Sequence, residues 1–308
     1  MTITLENMID EVLINLAGYT VQQDRATYLK AAVTTTTSSS ASPLILSLGS
    51  TESVGKGIIE IDEELLWVDS YDRISNTATI APYGRGYLGS TADTHAADKK
   101  VTISPTFPRY SVKRAINDTI NSLGSSIFAL KSTSFTFNAA KTTYAFNNLN
   151  IKNIITMSWK SIGPSQEWVP IRRYDFDSTA DSTAFGAYAQ TVTLGEYPIS
   201  GRTVRVVYAT DPAPFTNNTT QDYSTQTGLP ESTKDVVILG AAYRLLTYLD
   251  PARAAMVSPQ ADETDSKRPY GASQSATKQL YALYQQRLNE ETKAQQQNYP
   301  PRVHFSRR

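Results

Sequence analysis

The sequence predicts an α+β fold: a helical bundle of about four helices distant in sequence, two inserted β-rich domains and an extended C-terminal tail. Three observations predict it. Amphipathic segments recur at the start of the chain, after residue 108 and twice after residue 230, each with an apolar stripe that needs a partner. Between them lie two stretches whose apolar residues come in short β runs. Abundant threonine and serine, with 18 tyrosines, favour strands and wet surfaces over helices alone. The economical arrangement packs the stripes together and lets the β stretches bud from the bundle. The expected division assigns 1–30, 108–131 and 229–297 to the bundle, 31–107 to a first β-rich insertion, 132–228 to a second, sandwich- or barrel-like one, and 298–308 to an extended arm.

In chain order, "TLENMIDEVLINLAG" sets Leu5, Met8, Ile9, Val12, Leu13 and Leu16 at helical steps, with Thr4 as N-cap and Gly18 past the end. "TTTTSSSASP" reads as a polar hairpin tip or linker. "PLILSL", "GIIEIDEELLWVDSY", "TATIAPY" and "KKVTIS" are strands, the second folding into a hairpin at Asp62 and Glu63. "PRYSVKRAINDTINSLGSSIFAL" is a second helix opened by Pro108. Six further β runs follow, from "TSFTFN" to "RTVRVVYAT". Trp159 and Trp168 in these runs read as core or cross-strand partners, with a sugar platform the weaker alternative. "KDVVILGAAYRLLTYL" is apolar nearly all round and therefore central, and "PARAAMV" restarts a short helix. The last helix, from Ser273, carries Ala276, Leu280, Leu283, Tyr284 and Leu288 inward. Beyond Leu288 it has nothing to bury, so it must leave the body, fray or meet another chain.

The bulk numbers narrow the function. With 29 basic and 29 acidic residues, no global field argues for nucleic acid or an acidic membrane. The absence of cysteine excludes disulfides and thiolate metal sites. The first residues lack the basic flank of a secretory signal, and no apolar run reaches the ~18 residues of a membrane span, so a soluble chain is expected. No nucleophile elbow, HExxH or paired carboxylates are present, so no catalytic residue, cofactor or metal is assigned and the chain is not expected to be an enzyme. Asp62, Glu63 and Glu64 lack the spaced ligands of a calcium loop and read as a solvated turn. His95 has no second ligand nearby in sequence and is expected to hydrogen-bond its own loop.

The loop "YGRGYLGSTADTHAAD" is longer than a hairpin needs, which points to function, with Arg85 and Tyr87 as candidate partner-binding residues. "GIIEIDEELLWVDSYDR", followed by "PYGRGYLGSTADTHAADKKVTISPTFPRYSVKRAINDTI", resembles a module of tailed-bacteriophage structural proteins, in which a strand hairpin leads to an RG-x-x-G-(S/T)-x-A-x-x-H-A loop. "DPARAAMVSPQADETDSKRPYGASQSATKQLYALYQQRLNEE" also resembles proteins of phage head and neck genes. Together they resemble a head-to-tail connector adaptor. That resemblance implies a structural virion protein in the neck between capsid and tail, made in the host cytoplasm. It implies a ring of about twelve copies below the portal protein, an adjacent neck or tail-completion protein as a further partner, and a C-terminal arm docking on the portal.

The tail "NYPPRVHFSRR" suits that task. Pro300 and Pro301 stiffen it, Arg302, Arg307 and Arg308 can pair with carboxylates, and Tyr299 and Phe305 can fill apolar slots, with His304 between them. Genomic DNA would pass transiently, without tight binding, given the zero net charge. The alternative is a tail-tip or fibre-associated receptor- or glycan-binding protein that uses its β surface.

Overall fold

The computed structural model describes residues 3–18, 24–147, 149–162, 167–186, 189–216, 220–247 and 272–300. It divides into two compact units, one of Glu6–Ile116 and Ile238–Ala282, the other of Met1–Leu5, Asn117–Val237 and Leu283–Arg308. The helical bundle with inserted β domains does not form. Among the described residues, six helices accompany thirteen strands in three antiparallel sheets, so sheet dominates.

The first unit holds β1 (Arg25–Tyr28), β2 (Ile45–Ser47), β3 (Gly57–Ile61), β4 (Glu64–Asp72), β5 (Thr77–Ile80) and β6 (Lys100–Ile103), in the order β1-β6-β3-β4-β5-β2. The two edge strands meet at a short seam. There the Lys30 N–H donates to the Ser47 carbonyl and the Gly49 N–H to the Tyr28 carbonyl, both at 2.8 Å. The sheet therefore curls into a half-barrel that leaves little free edge. Gly49 is required at the seam, since a Cβ there would lie 2.3 Å from the Tyr28 ring. Strand alternation sends Ile59, Ile61, Leu66, Val68, Val101 and Ile103 into the barrel core. β1 has no counterpart in the sequence reading: its four residues alternate too little to announce a strand and are held by pairing with β6.

Helix α1 (Leu5–Ala17) buries Leu5, Met8, Ile9, Val12 and Leu16. Helix α2 (Arg109–Leu123) is tied to the β3–β4 hairpin and the following loop, and its Arg109 also pairs with Asp10 of α1. Lys113 Nζ lies 2.6 Å from Glu63 Oε2, and the Tyr110 hydroxyl donates to the Gly89 carbonyl at 2.7 Å. Glu60, 4% exposed, accepts backbone N–H groups of Arg109 and Tyr110 at the start of α2. Burial outweighs those hydrogen bonds and the Arg109 charge, and it pushes the Glu60 carboxyl up to about 7. An apolar stripe requires burial but does not specify whether a helix or a sheet supplies it. The bundle expectation failed at this step.

In the second unit, β7 (Ala129–Thr136), β9 (Asn153–Lys160), β10 (Trp168–Pro170) and β13 (Thr203–Thr210) form a sheet ordered β10-β9-β13-β7. β8 (Thr143–Asn147), β11 (Tyr174–Asp177) and β12 (Ala189–Leu194) form a second, ordered β11-β12-β8. They share one core, with Met157, Val204 and Val206 from the first sheet and Phe146, Val192 and Leu194 from the second, which makes a sandwich. Phe135 stacks on Tyr144 across it at 4.1 Å. Short helices α3 (Ser182–Phe185) and α4 (Tyr223–Thr227) are capped by Asp181 and Asp222. Helices α5 (Lys234–Thr247) and α6 (Ala272–Asn298) complete the described chain. The short helix expected at "PARAAMV" lies outside the described residues.

Candidate functional site

The glycine loop of residues 83–98 is organised by a carboxylate. Glu64 opens β4, and its side chain is 1% exposed. Arg85, 4% exposed at its side chain, grips it in bidentate fashion, Nε to Oε1 at 2.6 Å and Nη2 to Oε2 at 2.8 Å. The Gly86 and Asp93 N–H groups donate to the same carboxylate at 3.1 Å each. His95 Nε2 lies 2.8 Å from Glu64 Oε2, and Nδ1 lies 3.0 Å from Asp62 Oδ2, with Lys99 Nζ 2.9 Å from Asp62 Oδ1. The remaining Arg85 N–H groups donate to the carbonyls of Thr35 and Asp93.

Electrostatics follow from this geometry. Burial alone would raise the Glu64 carboxyl, but hydrogen bonds from His95, Arg85 and the loop N–H groups outweigh it and hold it down at about 2. The His95 bond holds Asp62 at about 2 as well. Burial opposes a charged His95, yet its two carboxylate partners push it up to about 9, so both ring nitrogens donate. A carboxylate saturated in this way has no lone pair left for general-base chemistry. Among the described residues no group of three or more His, Asp or Glu side chains is placed to hold a metal.

Glycines make the wrap possible. Gly86 sits at φ 58° and Gly89 at φ 85°, in the left-handed region, while a Cβ on Gly84 would lie 2.6 Å from the Trp67 carbonyl. The acidic turn is therefore not simply solvated, because Glu64 is the hub of the loop. His95 bonds the hairpin rather than its own loop. Arg85 faces inward, and Tyr87 is half-buried with its ring 5.1 Å from that of Trp67. The loop's exposed large apolar side chains are instead Tyr83 (69%) and Leu88 (62%). The readable signal was one arginine and one histidine in a loop of the same module as three consecutive acids.

A second candidate lies where the chain ends. α6 does not fray past Leu288. Arg287 pairs with Glu290 at 2.6 Å, and the Ser232 hydroxyl donates to Glu291 at 2.8 Å. The Gln295 side-chain amide exchanges two hydrogen bonds with the Phe128 backbone, at 3.1 and 2.7 Å. The helix end meets polar groups of its own unit, which a search for apolar stripes does not register. Tyr299 sets its ring 6.5 Å from Phe128, edge on, and helps line a cleft of about 370 Å³ with Ile127, Leu130, Leu229 and Pro230. Arg302, His304, Phe305, Arg307 and Arg308 lie outside the described residues.

Residues 88–304 match the family model described as SU10 adaptor protein, a match that covers more than half of the chain. No curated protein matches the sequence.

Proposed function

We propose a function from one premise: the chain belongs to the SU10 adaptor protein family. It is a phage adaptor, a structural component of the virion. Our finer reading is a head-to-tail adaptor that forms a ring of about twelve copies below the portal, links it to a neighbouring neck or tail-completion protein, and docks on the portal through its C-terminal arm. The observation that carries this is the end of α6. Gln295, Glu291 and Tyr299 fasten it to the body, so the arm sequence starts from a fixed point. A defined starting point lowers the entropy lost when the following segment docks. Identical arms in one ring bind together, so modest single-arm affinity becomes a lasting joint.

The test is removal of residues 301–308 followed by co-sedimentation with purified portal complexes. The reading expects the shortened chain to keep its melting temperature and lose the portal. Unchanged co-sedimentation would contradict it.

A further inference from the structure

The two outer faces of the sandwich carry opposite charge. In the four-stranded sheet Lys160 and Arg205 are the outer basic residues, Lys131 lying opposite the core residue Tyr208 on the inner side, and its strands contain no acid; the three-stranded sheet contains Asp175 and Asp177 and no base. Alternation decides where they face. Val204 and Val206 enter the shared core, so Arg205 points away from it; Met157 and Trp159 enter it, so Ser158 and Lys160 do not. On the other sheet Tyr174 and Phe176 pack against the core, which leaves Asp175 and Asp177 outside. Because the sheets are stacked through one core, these outer faces look in opposite directions.

The basic face has an anchor. Trp168, 38% exposed, lies opposite Lys160 in the ladder, and the Arg205 guanidinium stacks 4.4 Å from the centre of its ring. Tryptophan and arginine are the residue types that dominate protein interfaces, and a stacked arginine is already ordered for contact. Ser134 and Ser158 flank Arg205 on the neighbouring strands, and Thr143 and Thr193 share a 3.0 Å hydrogen bond beside Asp175 on the acidic face. Among the described residues none of Lys160, Arg205, Asp175 and Asp177 belongs to an ion pair, although Asp177 also caps its own turn at Thr179. Glu167 and Arg173, just outside β10 and β11, place one opposite charge near each face.

We propose that these faces dock between copies, the Lys160–Trp168–Arg205 face of one chain on the Asp175–Asp177 face of the next. This rests on the ring reading above and names its contact. A face that met its own copy would set like charge on like, whereas a head-to-tail contact satisfies both signs and leaves one face of each kind free to continue until the ring closes. The complement of the basic face is present on the same sandwich, which favours a second copy over nucleic acid as the occupant.

The experiment uses full-length chain, alone and with purified portal, with assembly read by sedimentation velocity. One variant carries Lys160→Glu and Arg205→Glu, the other Asp175→Lys and Asp177→Lys, and both are checked for unchanged melting. Wild type should assemble, less so at high salt, and each variant should associate at least about tenfold more weakly. An equimolar mixture of the two variants should regain assembly, because each then offers the face the other needs. Variants that assemble like wild type, or a mixture that recovers nothing, overturn the contact and leave the ring reading standing. DNA retention that depends on Lys160 and Arg205 while self-association does not also overturns it. A wild-type chain that stays monomeric in both settings removes the ring reading and this contact together.

Discussion

The half-barrel and the sandwich treat ionisable groups in opposite ways. In the half-barrel unit Glu60, Glu64, His95 and Lys113 are buried, while the buried polar residues on the sandwich strands are the threonines Thr191 and Thr210. Internal joints of the second unit use neutral amides. Asn117 exchanges two hydrogen bonds with the Phe215 backbone, Gln190 two with Ile151 and Gln295 two with Phe128. The charges of the sandwich stay outside. A buried charge is committed to its fold, since removing its partner leaves an ion stranded in a poor solvent. An outer charge on a rigid sheet is free to select a partner.

The largest effect is expected at the loop hub. Glu64→Ala strands Arg85 and His95 together and should cost ~3–5 kcal/mol in chemical denaturation. A loss below ~1 kcal/mol would mean the network is ornamental to the fold.

The pH dependence sharpens the same contrast. Glu64 and Asp62 are depressed from 4.5 and 3.8 to about 2, so their stabilisation is present above those ordinary values and lost as pH falls through about 2. His95 is raised from 6.5 to about 9, so its share is complete below 6.5 and lost as pH rises through about 9. Glu60 is raised from 4.5 to about 7, so its share is present below 4.5 and lost as pH rises through about 7. Melting curves from pH 4 to 10 should therefore decline on the alkaline side. Glu60→Gln should remove the earlier part of that decline and melt higher than wild type at pH 8. A Glu60→Gln curve parallel to wild type across the range would show that this carboxyl does not titrate as described.

Smaller effects belong to the second unit. Gln295→Ala deletes two hydrogen bonds to one backbone residue and should cost ~1–2 kcal/mol, with faster amide exchange at Phe128. Unaltered exchange there would mean the end of α6 is held by other contacts. Lys160→Glu with Arg205→Glu should cost no more than ~1 kcal/mol, since neither charge has an ion pair among the described residues and only the exposed Arg205–Trp168 stack is lost.

Local patterns in the sequence were sufficient for many elements. The alternation in "GIIEIDEELLWVDSY" marks β3 and β4 with their turn, and the spacing of Leu5, Met8, Ile9, Val12 and Leu16 marks α1. What packs against what was not legible. The stripe of α2 does not reveal what receives it, and Gln295 looks like solvated helix surface until Phe128 is placed beside it. The same limit applied to the loop. Arg85 was a candidate for partner binding because its loop is longer than a hairpin needs, and only the fold brings Glu64, 21 residues earlier, under its guanidinium.

The most direct test of this division of labour measures melting and self-association on the same two proteins, Glu64→Ala and Lys160→Glu/Arg205→Glu. The first should lose ~3–5 kcal/mol of stability, and the second should lose no more than ~1 kcal/mol while its assembly falls. If the sandwich variant is destabilised as much as the loop variant, its charges serve the fold and the distinction drawn between the two regions is wrong.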